Sequence, residues 1–219
     1  MPNPLWVMFP PLRCDARTLM EKVLPGFLAA HRMRPFYAMP ITREEDEIVI
    51  LDGQGQRTDE LSQMLAIGRG RLGVSMSFHV QEVRRYFEFI VLDQELPATL
   101  FLEIPQEILA ENHDSFGIGG WFVSFVASLV KHLDCDLALS TRDTSAEIGS
   151  LDVHEVLERV TSGRLLDSSA PVILVLRRGL VSAERLDECV RSRPERGFRL
   201  AQAGAHHVLW SMKGAVSGA

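Results

Sequence analysis

Apolar and polar residues alternate along the chain in a way that predicts short strands interspersed with helices. Val74, Met76, Phe78 and Val80 occupy every second position of one segment, which is typical of a strand with one buried face. Shorter apolar runs bounded by turn residues predict further strands. The predicted strands cover residues 5–9, 36–41, 48–51, 71–80, 86–92, 99–104, 137–141, 171–176, 198–203 and 206–212.

Apolar residues recur at helical spacing between these strands. The predicted helices cover residues 16–28, 59–67, 121–133, 151–160 and 183–190. Asp15 and Ser182 precede two of them as N-caps. Pro25 is expected to kink or break the first helix. Pro40 favours an edge position or a bulge for the strand at residues 36–41.

The order of these elements indicates an α+β fold. Residues 5–80 have the order β-α-β-β-α-β, which is the ferredoxin-like order. For the whole chain we expect a mixed or antiparallel sheet with helices mainly on one face. We expect a single domain over residues 1–219, and the alternative is a subdivision into 1–92 and 99–213.

Composition and charge narrow the classes of function. The chain has 219 residues, of which 46% are hydrophobic and 24% charged, as in ordinary globular proteins. Its net charge of −6 and its scattered basic residues argue against a nucleic-acid partner. Only three of the 23 basic residues are lysines, a bias typical of GC-rich bacterial genomes.

The location is expected to be the cytoplasm, with no membrane partner. No signal peptide is recognisable, and the longest apolar stretch, residues 121–130, is too short to cross a bilayer. The three cysteines, Cys14, Cys135 and Cys189, form no CxxC pair and are interpreted as reduced thiols.

Motifs for catalysis, metals and cofactors are absent from the sequence. The histidines lack metal-ligand spacing, and His206 and His207 should point to opposite faces of one strand. No GxSxG elbow or phosphate-binding lysine motif occurs. Glu88 and Glu103 on predicted strands, and Cys14 at a predicted helix start, are candidate reactive groups for which structural roles are favoured. We therefore expect no cofactor, no metal and, on balance, no enzyme.

The remaining candidate surface is acidic. Glu44, Glu45, Asp46 and Glu47 form the densest charge run, in a predicted hairpin loop. Such a patch can dock on a basic protein surface by electrostatic complementarity. The leading hypothesis is a non-catalytic protein-binding module, in the form of an immunity or antitoxin-type inhibitor of a toxin or enzyme.

Two other hypotheses remain open. Gly117, Gly119, Gly120 and Trp121 open an apolar helix, and backbone N–H groups at a helix start can hold an anion. These residues would line the cleft of a small-molecule-binding enzyme or sensor. The third hypothesis is a structural homo-oligomer joined through the strand that carries Pro40.

Overall fold

The computed structural model describes residues 5–44, 47–80, 85–92, 97–104, 118–141, 153–162 and 172–211. The strands of these residues are β1 (Leu5–Met8), β2 (Met33–Glu44), β3 (Glu47–Ile50), β4 (Gly73–Val80), β5 (Arg85–Leu92), β6 (Thr99–Ile104), β7 (Leu137–Thr141), β8 (Val172–Arg177), β9 (Arg199–Ala203) and β10 (His206–Ser211). The α-helices are α1 (Ala16–Thr18), α2 (Leu24–Ala30), α3 (Leu61–Ile67), α4 (Ile118–His132), α5 (Val153–Thr161) and α6 (Ala183–Arg191).

The chain divides into two compact units. The first unit comprises Met1–Pro10, Ile104–Arg142 and Leu151–Ala219, and the second comprises Pro11–Glu103 and Asp143–Ser150. In the second unit the strands lie in the order β3-β2-β4-β5-β6, and in the first unit in the order β1-β7-β8-β10-β9. The pairings within each unit are antiparallel. The expectation of a single domain over residues 1–219 stays a prediction.

The predicted α+β class with antiparallel pairing is confirmed, whereas the ferredoxin-like arrangement is not. The element order β-α-β-β-α-β is present between β1 and β4. However, β1 pairs with β7, more than a hundred residues further along the chain, and β4 lies between β2 and β5. The placement of helices mainly on one face stays a prediction.

Of the two alternatives predicted for the strand with Pro40, an edge position or a bulge, the edge position is wrong, because β2 lies between β3 and β4. The N–H and C=O of a strand residue point to the same neighbouring strand. The carbonyl of Pro40 accepts the N–H of Leu51 at 3.0 Å, so the missing donor faces the residue that follows β3. The proline is therefore tolerated where the β2–β3 ladder ends. The strand does carry an irregularity, between Pro35 and Tyr37.

The first helical run shows how the chain accommodates Pro25. Asp15 caps α1 as predicted, because the N–H of Thr18 donates to its Oδ1 at 2.6 Å. A π-helical turn, Leu19–Val23, then separates α1 from α2, and the N–H of Leu24 bonds to the carbonyl of Leu19. A proline has no N–H and crowds the carbonyl four residues earlier, and the wider turn relieves that crowding. The helix therefore changes its winding and does not stop.

The first unit is built on strands and helices that the sequence predicted well. Each residue of β8 from Val172 to Leu176 is buried, which agrees with an interior strand whose two faces are both covered. Helix α4 buries Phe122, Phe125 and Leu129. Strands β9 and β10 form the predicted hairpin around Gly204, whose φ of +59° suits a glycine. None of the helices in the described residues is long and apolar enough to span a membrane.

Candidate functional site

The acidic run lies at the end of the β2–β3 hairpin in the second unit. Glu44 is the last residue of β2 and is exposed, and the register places Glu47 of β3 directly opposite it. Glu45 and Asp46 lie outside the described residues. Like charges directly opposite each other in an antiparallel pair destabilise the sheet. The register therefore places two acidic positions opposite each other at the end of the hairpin.

Strand β3 lies at one end of the strand order of its unit. It has four residues, and a 3₁₀ turn over Asp52–Gln54 follows it. Gln56 then returns to β2, where it exchanges backbone hydrogen bonds of 2.8 and 2.9 Å with Ala38. The β2–β3 hairpin with its terminal acids Glu44 and Glu47, here called the acidic hairpin, is therefore followed along β2 by a second, short antiparallel bridge between Ala38 and Gln56.

The glycine-rich candidate site is only partly described. Helix α4 begins at Ile118, so Gly119 and Gly120 belong to its first turn, and Gly117 lies outside the described residues. Trp121 is partly exposed, and its ring stacks on that of Phe125 with 5.1 Å between the centroids. The anion-binding role of this segment stays a prediction.

A polar cluster lies on the opposite face of β4 from the apolar residues. Ser75 and Ser77 are buried, and both hydroxyls donate to the carboxylate of Glu88 on β5. The distances are 3.2 Å from Ser75 Oγ to Glu88 Oε2 and 3.4 Å from Ser77 Oγ to Glu88 Oε1. Glu88 itself is partly exposed. The sequence marked Glu88 as a candidate and missed the two serines.

The register shows which side chains share this face. Tyr37 of β2 lies opposite Ser77, and Ser77 lies opposite Glu88, so the three form one row across three strands. The hydroxyl of Tyr37 donates to the carbonyl of Asp52 at 3.4 Å. A Cβ at Gly55 would collide with the phenol, so the ring of Tyr37 lies against Gly55.

No basic side chain compensates the charge of Glu88 within the described residues. The ion pairs found there join other carboxylates, for example Asp134 and Asp136 with Arg177 at 2.6 and 2.8 Å. The nearest basic residues in register on this face are His79, two residues along β4 from Ser77, and Arg34, which lies opposite His79. The polar cluster is therefore a carboxylate oriented by two serine hydroxyls, with no ion-pair partner in the described part of the chain.

The adjacent histidines His206 and His207 belong to β10, and both are buried. The Nε2 atom of His206 lies 3.2 Å from the carbonyl of Cys135. Burial lowers the pKa of His207, the nearby Arg178 lowers it further, and Glu184 partly opposes the change. Within the part of the chain that the structure describes, no group of three His, Cys, Asp or Glu residues could hold a metal ion.

The surroundings of Cys14 weaken its candidacy as a nucleophile. Burial, and then the neighbouring carboxylate of Asp15, raise the pKa of this thiol. The helix start that could have stabilised a thiolate is already capped, because Asp15 accepts the N–H of Thr18. The thiol is therefore kept protonated and weakly nucleophilic.

Comparisons with known proteins give no relative, since no family model, no curated protein and no solved structure matches the chain.

Proposed function

We propose that this chain is a non-catalytic protein-binding module, of the immunity or antitoxin type, which docks on a basic surface of its partner through the acidic hairpin. The observation that carries the proposal is the pairing of exposed Glu44 with Glu47 at the hairpin end. A like-charge pair costs the free protein stability. A basic partner surface placed between these charges would turn that cost into attraction.

Two further observations support this type of function. The net charge of −6 favours long-range attraction to a basic partner and faster encounter at low salt. Cys14, Cys135 and Cys189 form no disulfide bond, which is typical of proteins in a reducing compartment. The cytoplasm is therefore the compartment we propose, and a toxin or enzyme acting there is the partner.

The experiment compares the wild-type chain with a charge-reversed hairpin, Glu44→Lys with Glu47→Lys, after capture of the partner from the native host at low salt. We expect the reversed variant to bind about tenfold more weakly or worse, mainly through a lower association rate. Raising the salt concentration should weaken wild-type binding towards the level of the variant.

A matched control reverses two exposed acids of the first unit, Glu155→Lys with Asp187→Lys, which changes the net charge by the same amount. We expect this control to retain most of the affinity. Equal losses of affinity in the two variants would show that net charge, and not the hairpin, determines binding, which would contradict the proposal. Unchanged affinity of the hairpin variant would also refute it.

A further inference from the structure

The polar cluster formed by Ser75, Ser77 and Glu88 is separate from the acidic hairpin and reaches the surface through Glu88, which is partly exposed. Each carboxylate oxygen of Glu88 accepts one serine hydroxyl, at 3.2 and 3.4 Å. A carboxylate has about four acceptor positions, so about two remain for another donor. The serines are buried, which fixes the direction in which the carboxylate presents those positions.

Among the residues that the structure describes, no basic side chain forms an ion pair with this carboxylate. A partly buried charge is costly unless a counter-charge or several hydrogen bonds stabilise it. Glu88 takes part in no ion pair among the described residues, and Tyr37 of the same row turns its hydroxyl towards Asp52. The remaining acceptor positions would suit a donor that also carries positive charge.

We propose that Glu88, held by Ser75 and Ser77, is the anionic base of a binding site for a small organic cation that carries an ammonium or guanidinium group. Such a group offers two or more N–H donors together with the missing charge. A calcium or magnesium ion fits less well, because these ions prefer several carboxylate or carbonyl oxygens and the cluster supplies one carboxylate.

The test is a titration of the full chain with butylammonium and methylguanidinium chlorides, followed by amide NMR. We expect saturable shifts at the amides of Ser75, Ser77 and Glu88, and no such shifts with sodium chloride or neutral butanol. The Glu88→Gln variant keeps the shape of the side chain and removes its charge. It should bind the cations about tenfold more weakly or worse, since a charge-assisted hydrogen bond contributes at least that factor.

Two controls keep the result specific. Glu155→Gln removes an exposed carboxylate from α5 and should leave cation binding unchanged. Ser77→Ala removes one of the hydroxyls that orient Glu88 and should weaken binding without abolishing it. The inference is overturned if neither cation gives saturable shifts, if Glu88→Gln binds as well as the wild type, or if Glu155→Gln loses as much affinity as Glu88→Gln. Its outcome is independent of the hairpin variants.

Discussion

At the scale of single residues, His207 shows how a buried side chain can make stability depend on pH. It lies on β10 opposite Gln202, whose side chain accepts a hydrogen bond from Arg178. Among the described residues no hydrogen-bond partner reaches its Nδ1 atom. Burial and the positive charge of Arg178 hold the pKa of His207 below the ordinary value, and the carboxylate of Glu184 only partly offsets them.

This lowered pKa predicts a loss of stability in mild acid. As the pH falls through about 6.5, the unfolded chain binds a proton before the folded chain does, so the free energy of unfolding decreases. The decrease is complete once the pH is below the pKa of the folded state. We expect the wild type to lose more stability between about pH 7.5 and about pH 5.5 than the His207→Gln variant does, as measured by urea unfolding.

The imidazole can also be observed directly. An NMR titration of the ring proton resonances of His207 in the folded chain should give a midpoint below about 6.5. A midpoint at or above that value, or equal losses of stability in the wild type and His207→Gln, would contradict the interpretation.

At the scale of elements, the caps and turns were largely readable from the sequence. The N–H of Arg185 donates to Ser182 Oγ at 3.2 Å, as the capping rule predicts for α6. The proline rules left the local structure open, because they describe what a residue disfavours and not how its neighbours respond. Pro25 was accommodated by a π-helical turn, and Pro40 lies in an interior strand beside the end of the β3 ladder.

The cap of α6 offers a test at this scale. Ser182→Ala removes the acceptor for the N–H of Arg185 and should lower the free energy of unfolding by about 1 kcal/mol. Ser182→Asp restores an acceptor at the same position and should recover most of the loss. Chemical unfolding of the three proteins measures both effects, and a full loss in Ser182→Asp would show that the hydroxyl acts in another way.

The polar cluster is a candidate site that the pattern of apolar and polar residues could not predict. The alternation in β4 identified the apolar face, but it gave no indication that Ser75 and Ser77 on the other face are buried. Both serines are in fact buried, and their partner Glu88 belongs to the next strand. The period of apolar residues within one strand does not indicate which strand pairs with it or in which register.

At the scale of the whole molecule, pairing between distant parts of the chain decides the architecture. Local patterns identified most of the elements, yet they gave the ferredoxin-like order for residues 5–80. In the structure Val7 of β1 lies opposite Ser140 of β7, so the first unit draws on both ends of the sequence. Contacts of such long separation carry a loop-closure cost that local propensity does not reveal.

This long-range pairing predicts that β1 supports the structure of β7. Met8 is buried and lies opposite Leu139, so Met8→Ala leaves a cavity next to that strand. The free energy of unfolding should fall by about 3 kcal/mol, the usual cost of truncating a buried methionine. Amide hydrogen exchange should show weaker protection in Leu137–Thr141. Arg199→Ala, an exposed change in β9 of the same unit, should leave both quantities nearly unchanged. Protection of β7 that is equal in Met8→Ala and the wild type would mean that β1 contributes little to the unit, and the assignment of residues 1–10 to it would be wrong.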